Sequence, residues 1–83
     1  FDVDLKPADT LLVMTYSDRP GMVGKIGTIL GDAKINIADM VVGRKKKGET
    51  ALIVLTLDDA VKPDTLDAIR QSIDPQTLTQ VRM

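Results

Sequence analysis

Apolar residues in this chain fall in short blocks, and turn-forming clusters separate them. Leu11–Tyr16 is a nearly unbroken apolar run that ends at Ser17-Asp18-Arg19-Pro20-Gly21. A run that short, stopped by turn residues, predicts a buried strand. Pro20 is pre-set for the first helical position and Asp18 offers a capping carboxylate, so a helix is expected over residues 21–33. With Val23 as the zero of a helical wheel, Met22, Val23, Ile26, Ile29, Leu30 and Ala33 share one arc of about 120°. Gly24, Gly27 and Gly31 form a separate edge beside that arc. Each interior glycine costs about 1 kcal/mol relative to alanine, so this edge calls for a close approach. Tight packing inside the domain is the ordinary expectation; an incoming loop, ligand or second subunit is the sharper one.

Residues 35–42 (Ile-Asn-Ile-Ala-Asp-Met-Val-Val) read as a strand whose imperfect alternation predicts a bulge or a bent start. Gly43 to Glu49, with Arg44-Lys45-Lys46-Lys47 inside it, reads as a polar hairpin loop. The strand expected over 50–57 is apolar on both faces and so belongs in the middle of a sheet. Pro63 opens a second helix with Leu66, Ile69 and Ile73 at helical spacing, and Asp74-Pro75 ends it. Residues 77–83 form a last strand with interleaved polar positions, as suits an edge. The order strand, helix, strand, strand, helix, strand is the ferredoxin-like βαββαβ arrangement of the α+β class. It predicts a four-stranded antiparallel sheet with two helices on one face, joined by right-handed crossovers, and with the first and third strands central. Residues 1–10 are expected to be a linker or the tail of a preceding domain, and 11–83 the folded module. The chain starts at Phe1, which leads us to expect a piece cut from something longer.

Composition narrows the function. The 83 residues are 43% apolar and 28% charged, with a net charge of −1. That balance argues against disorder and against a strongly basic nucleic-acid surface. No apolar run approaches the roughly 18 residues of a membrane span, and no secretory leader pattern is present, so a cytoplasmic protein is expected. The chain has no cysteine and no histidine. It therefore lacks a thiolate nucleophile, the commonest general base and the commonest metal ligand. No catalytic set and no metal site are expected, so the chain alone is not expected to be an enzyme. Gly21, Gly24 and Gly27 have the wrong spacing for a dinucleotide fingerprint. Arg44 to Lys47 is expected to be a solvated hairpin tip, since the two aromatics, Phe1 and Tyr16, make no base-stacking surface.

The segment with most chemical content is Tyr16 to Gly21. It follows a central strand and opens a helix, whose first backbone N–H groups have no intrahelical partner. Those groups can seat a carboxylate. Asp18 can meet an ammonium group, and the Tyr16 hydroxyl and the Asn36 amide can each donate and accept. Together these describe a site for a free amino acid. The plainer alternative is that Asp18 caps the helix and Asn36 caps a turn.

At these residues the sequence resembles the ACT domain family: an apolar strand, then Asp18-Arg19-Pro20-Gly21, an apolar helix, then Ile35-Asn36-Ile37. The likeness covers about residues 10–83. Tyr16 to Gly31, Asn36 to Arg44 and Ala51 to Asp58 look most like the C-terminal regulatory domains of bacterial D-3-phosphoglycerate dehydrogenases. Phe1 to Leu5 is similar to the end of an intervening domain in the longer form of those enzymes. The ACT domain of iron–sulfur L-serine dehydratase is similar too, but there histidine leads the motif where this chain has Tyr16. The resemblance implies an L-serine-sensing domain that gives feedback control of serine biosynthesis. It implies a homodimer paired through the second strand, with ligand held by Tyr16, Asp18, Arg19, Pro20 and Gly21 of one copy and Asn36 of the other. A nicotinamide cofactor (NAD) is implied for a catalytic part outside this chain. A structural dimerisation domain that binds no ligand is the alternative.

Overall fold

A computed structural model describes residues 10–44 and 49–82. Its elements are β1 (Thr10–Ser17), α1 (Met22–Asp32), β2 (Ile37–Arg44), β3 (Thr50–Leu57), α2 (Pro63–Ile73) and β4 (Thr77–Arg82). The readings made for residues 1–9, for Lys45 to Gly48 and for Met83 lie outside the described residues.

The strands form one antiparallel sheet in the order β2-β3-β1-β4, so the two most apolar strands occupy the centre as expected. Alternation fixes which side chains meet the helices. Leu12, Met14 and Tyr16 of β1 lie opposite Leu55, Ile53 and Ala51 of β3, and all six are buried. Met22, Ile26 and Leu30 of α1, with Ile69 and Ile73 of α2, close over them to complete the core. Each large side chain buried this fully contributes roughly 1.5–3 kcal/mol of transfer free energy. The sheet therefore holds both helices on one face.

Local chemistry sets the ends of the elements. Helix α2 starts on Pro63 and stops at Asp74, whose left-handed φ of 51° turns the chain and whose N–H bonds the Arg70 carbonyl. The irregularity expected in β2 is a register shift between Ile37 and Asp39, opposite Leu57 and Thr56. Strand β2 starts two residues later than the pattern suggested and runs on through Gly43 and Arg44. Pairing of Gly43 with Leu52 and of Arg44 with Ala51 draws those two residues out of the expected loop.

Two local expectations are corrected. Helix α1 begins at Met22 behind a Gly21 cap, so Pro20 precedes the cap and is not the first helical residue. Gly21 has a φ of 85°, a left-handed conformation that a side chain would strain. Asp18 does not cap α1, which has no side-chain cap bond. A capping side chain must stand at the cap position, and Asp18 lies three residues before it.

The glycine edge also departs from the ordinary expectation. Among the described residues, a Cβ built at Gly24, Gly27 or Gly31 meets no heavy atom within 4 Å, beyond its own chain neighbours and nearby helix backbone. Internal packing therefore does not account for these glycines. Ile29 of α1 and Ala33, the residue that caps its C-terminus, line a shallow cleft with Ala68 of α2, so α2 flanks the other side of α1. No helix among the described residues is long and apolar enough to cross a membrane.

Candidate functional site

Three neighbouring positions build the floor of a cavity. Tyr16 of β1 and Arg44 of β2 both pair with Ala51 of β3, so the three share a row on the helix-bearing face. Ala51 contributes a single methyl group between two long side chains, which leaves space above it. The N-terminus of α1 and the loop before it form the wall. The result is an open cavity of about 520 Å³, lined by Tyr16, Asp18, Arg19, Pro20 and Gly21 and, from β2, by Val42 and Arg44. That volume lies within the roughly 300–1,000 Å³ usual for small-molecule sites.

The polar groups around the cavity complement a zwitterion. The intrahelical ladder of α1 opens with the Lys25 N–H on the Gly21 carbonyl at 3.0 Å, while the Met22 N–H reaches the Arg19 carbonyl at 3.4 Å. The N–H groups of Val23 and Gly24 thus have no intrahelical acceptor, and the absence of a side-chain cap leaves this positive helix end open to an anion. Tyr16 is 1% exposed and lines the cavity. Burial raises the Tyr16 pKa above its ordinary 10.0, Asp18 raises it further, and Arg44 acts in the opposite direction.

Asp18 is held in place from two sides. Its backbone N–H donates to the Glu49 carbonyl at 2.6 Å. Its carboxylate Oδ2 meets Arg44 Nε at 3.0 Å. The Asp18 side chain is only 10% exposed and the Arg44 side chain 57%. An ion pair with one partner this wet contributes no more than about 1 kcal/mol. A competing cation can therefore displace Arg44 at small cost.

Of the residues expected to bind ligand, Tyr16, Asp18, Arg19, Pro20 and Gly21 come together at this cavity, with Arg19 exposed at its rim. Asn36 does not. It stands at the opposite end of β2, where its N–H bonds Asp58 Oδ1 at 3.1 Å and its carbonyl accepts the Asp58 N–H at 3.2 Å. Arg44 lies eight positions further along the chain, about 26 Å at the usual ~3.3 Å rise. Sequence reasoning missed Arg44 and Val42. Arg44 was read as loop with the lysines that follow it, and its contact with Asp18 depends on strand register.

The comparisons with known proteins decide the family. The family model described as "ACT domain" matches residues 10–74. The chain belongs to the ACT domain family. Among curated proteins, it is 45% identical over 58 residues to D-3-phosphoglycerate dehydrogenase of Bacillus subtilis (strain 168), covering 70% of this chain and 11% of that protein. It is 40% identical over 78 residues to D-3-phosphoglycerate dehydrogenase of Mycobacterium tuberculosis (strain ATCC 25618 / H37Rv), covering 94% of this chain and 15% of that protein. The matched stretches are thus a small part of each relative, and the catalytic part of those enzymes is not in this ACT domain. Among solved structures, the regulatory subunit of aspartate kinase from Thermus thermophilus in its ligand-free form superimposes with a TM-score of 0.75 at 14% identity, covering 93% of this chain and 52% of that one. The ACT domain from GTP pyrophosphokinase of Chlorobium tepidum superimposes with a TM-score of 0.59 at 20% identity, covering 90% of this chain and 86% of that one. At such identities the structural likeness establishes the ferredoxin-like fold alone.

Proposed function

We propose that this ACT domain is the amino-acid-sensing module of a D-3-phosphoglycerate dehydrogenase and that it binds L-serine. The observation that carries the reading is the cavity at the start of α1, where a sheltered Asp18 carboxylate, the Tyr16 side chain and open helix N–H groups surround one space. The ammonium of a free amino acid suits Asp18, its carboxylate suits the helix end, and a side-chain hydroxyl suits Tyr16. Similarity over most of the chain to dehydrogenases of that name supplies the enzyme context. Catalysis and the nicotinamide cofactor would belong to the remainder of such an enzyme. Ligand binding would then favour one arrangement of domains over another, a coupling typically worth about 1–3 kcal/mol.

The same reading has a second copy complete the site. Strand β2 is an edge strand whose eight residues are all exposed, apolar Met40, Val41 and Val42 among them. Two β2 strands paired antiparallel about an axis near Met40 would set position 36 of one beside position 44 of the other. Asn36 of the second copy would then reach the cavity that it cannot reach in its own chain. The two-fold also gives the open glycine edge of α1 a neighbour.

Calorimetric titration of the chain with L-serine and with L-alanine tests the ligand. We expect serine to bind more tightly, and Asp18→Ala to abolish the heat while the fold persists. A well-folded dimer that gives no heat with either amino acid would favour the dimerisation reading. Binding that survives Asp18→Ala would refute the role given to Asp18.

A further inference from the structure

The ion pair at the mouth of the cavity occupies the group that the ligand's ammonium needs. Arg44 Nε sits 3.0 Å from Asp18 Oδ2, and both residues line the same space. Arg44 is the last residue of β2, its side chain is more than half exposed, and only the small Ala51 lies beside it in the row toward Tyr16. Its guanidinium carries five N–H donors, so the contact through Nε leaves donors over for an anion. Planar forks of this kind recognise carboxylates through paired hydrogen bonds.

We propose that Arg44 is the specificity residue for the ligand's carboxylate, which it receives beside the open N–H groups of α1 when the ligand's ammonium displaces it from Asp18. The inference rests on the reading that this cavity holds a free amino acid. Binding is then an exchange of partners: one ion pair is given up and two are formed, with charge balanced before and after. In the empty site Arg44 meets the Oδ2 oxygen of a sheltered carboxylate and offsets part of its charge. An amine without a carboxylate breaks the resident pair and leaves Arg44 uncompensated. An acid without an amine finds Arg44 already engaged. Only a molecule carrying both charges at α-amino-acid spacing satisfies the two residues together, and the exchange selects for it.

The test compares the unaltered chain with Arg44→Gln by calorimetry against two probes. One is L-serine. The other is L-serinamide, which keeps the ammonium, the hydroxyl and the shape but lacks the negative charge. We expect the substitution to weaken L-serine at least tenfold and to leave L-serinamide unchanged or tighter, because the guanidinium no longer competes for Asp18 Oδ2. Arg44→Lys, which keeps the charge and loses the fork, should fall between. A change in serine affinity below twofold would overturn the proposal, as would tightening of both probes together, the mark of a mere competitor. Equal loss of both probes in a folded variant would make Arg44 structural and overturn it as well. If the unaltered chain binds neither probe, the amino-acid reading itself fails, a result distinct from any that depends on Arg44.

Discussion

At the scale of single residues, the chain carries its own reporter. Tyr16 is the only tyrosine, and the chain has no tryptophan. Tyrosine absorbance and emission therefore report on the cavity alone. Burial, reinforced by Asp18 and opposed by Arg44, keeps its hydroxyl protonated above the ordinary pKa of 10.0. The folded state then holds a proton that the unfolded state releases once the pH passes about 10. The associated stability is fully present below that pH and is lost as the pH rises through the folded-state pKa. Urea unfolding at pH 9 and at pH 11 should show a larger alkaline loss in the unaltered chain than in Tyr16→Phe. The lysines titrate in both proteins, so only the difference between them belongs to Tyr16. Equal losses would mean that the hydroxyl does not feel the burial described.

At the scale of elements, α1 carries a cost that no packing contact among the described residues explains. Gly27 lies mid-helix, and among the described residues a Cβ there meets no heavy atom within 4 Å. Gly27→Ala should therefore raise the unfolding free energy of the dilute single chain by about 0.5–1 kcal/mol, through helix propensity and backbone entropy. If the glycine edge faces a second copy, sedimentation should show the same variant dimerising less tightly. A variant that stabilises the chain and leaves association untouched would release the edge from that role. The elements themselves were legible because their signals are local. The apolar run of Leu11 to Tyr16, the two-faced strand at Thr50–Leu57 and the Pro63 and Asp74 boundaries each follow from neighbours in sequence. The bulge was legible too, as broken alternation around Ala38. The Asp18–Arg44 pair was not, because it needs the β2–β3 and β1–β3 registers at once, and those are set by core packing far from either residue. That Tyr16, Asp18, Arg19, Pro20 and Gly21 share one cavity was legible because they follow one another along the end of β1 and the turn after it. The glycine edge was detectable as a helix flaw, yet sequence could not say that the space beside it is open.

At the scale of the molecule, the two sheet edges are unlike. At β4, the Gln80 side chain bonds the Val61 backbone, accepting its N–H at 2.6 Å and donating to its carbonyl at 3.3 Å. At β2, Met40 is 44% exposed, Val41 58% and Val42 40%, beside an unpaired ladder edge. An open apolar edge of this kind invites pairing with another strand, and a domain this small gains from it. With the two-fold near Met40, the two Met40 side chains would face each other at the ~4.5–5.5 Å separation of directly opposed residues. Met40→Lys then sets two ammonium groups against one another. The protein should become monomeric by sedimentation and keep its far-UV circular dichroism, and its melting temperature should no longer rise with concentration. It should also lose the heat of serine binding, although Met40 does not line the cavity, because Asn36 of the second copy is gone. Met40→Glu alone should behave the same way. An equimolar mixture of the two variants places opposite charges at the axis and should recover both association and serine heat. Recovery by mixing excludes misfolding as the cause of either loss. If the lysine variant still bound serine as a monomer, the cavity of a single chain would suffice, and the second copy would have no part in the site.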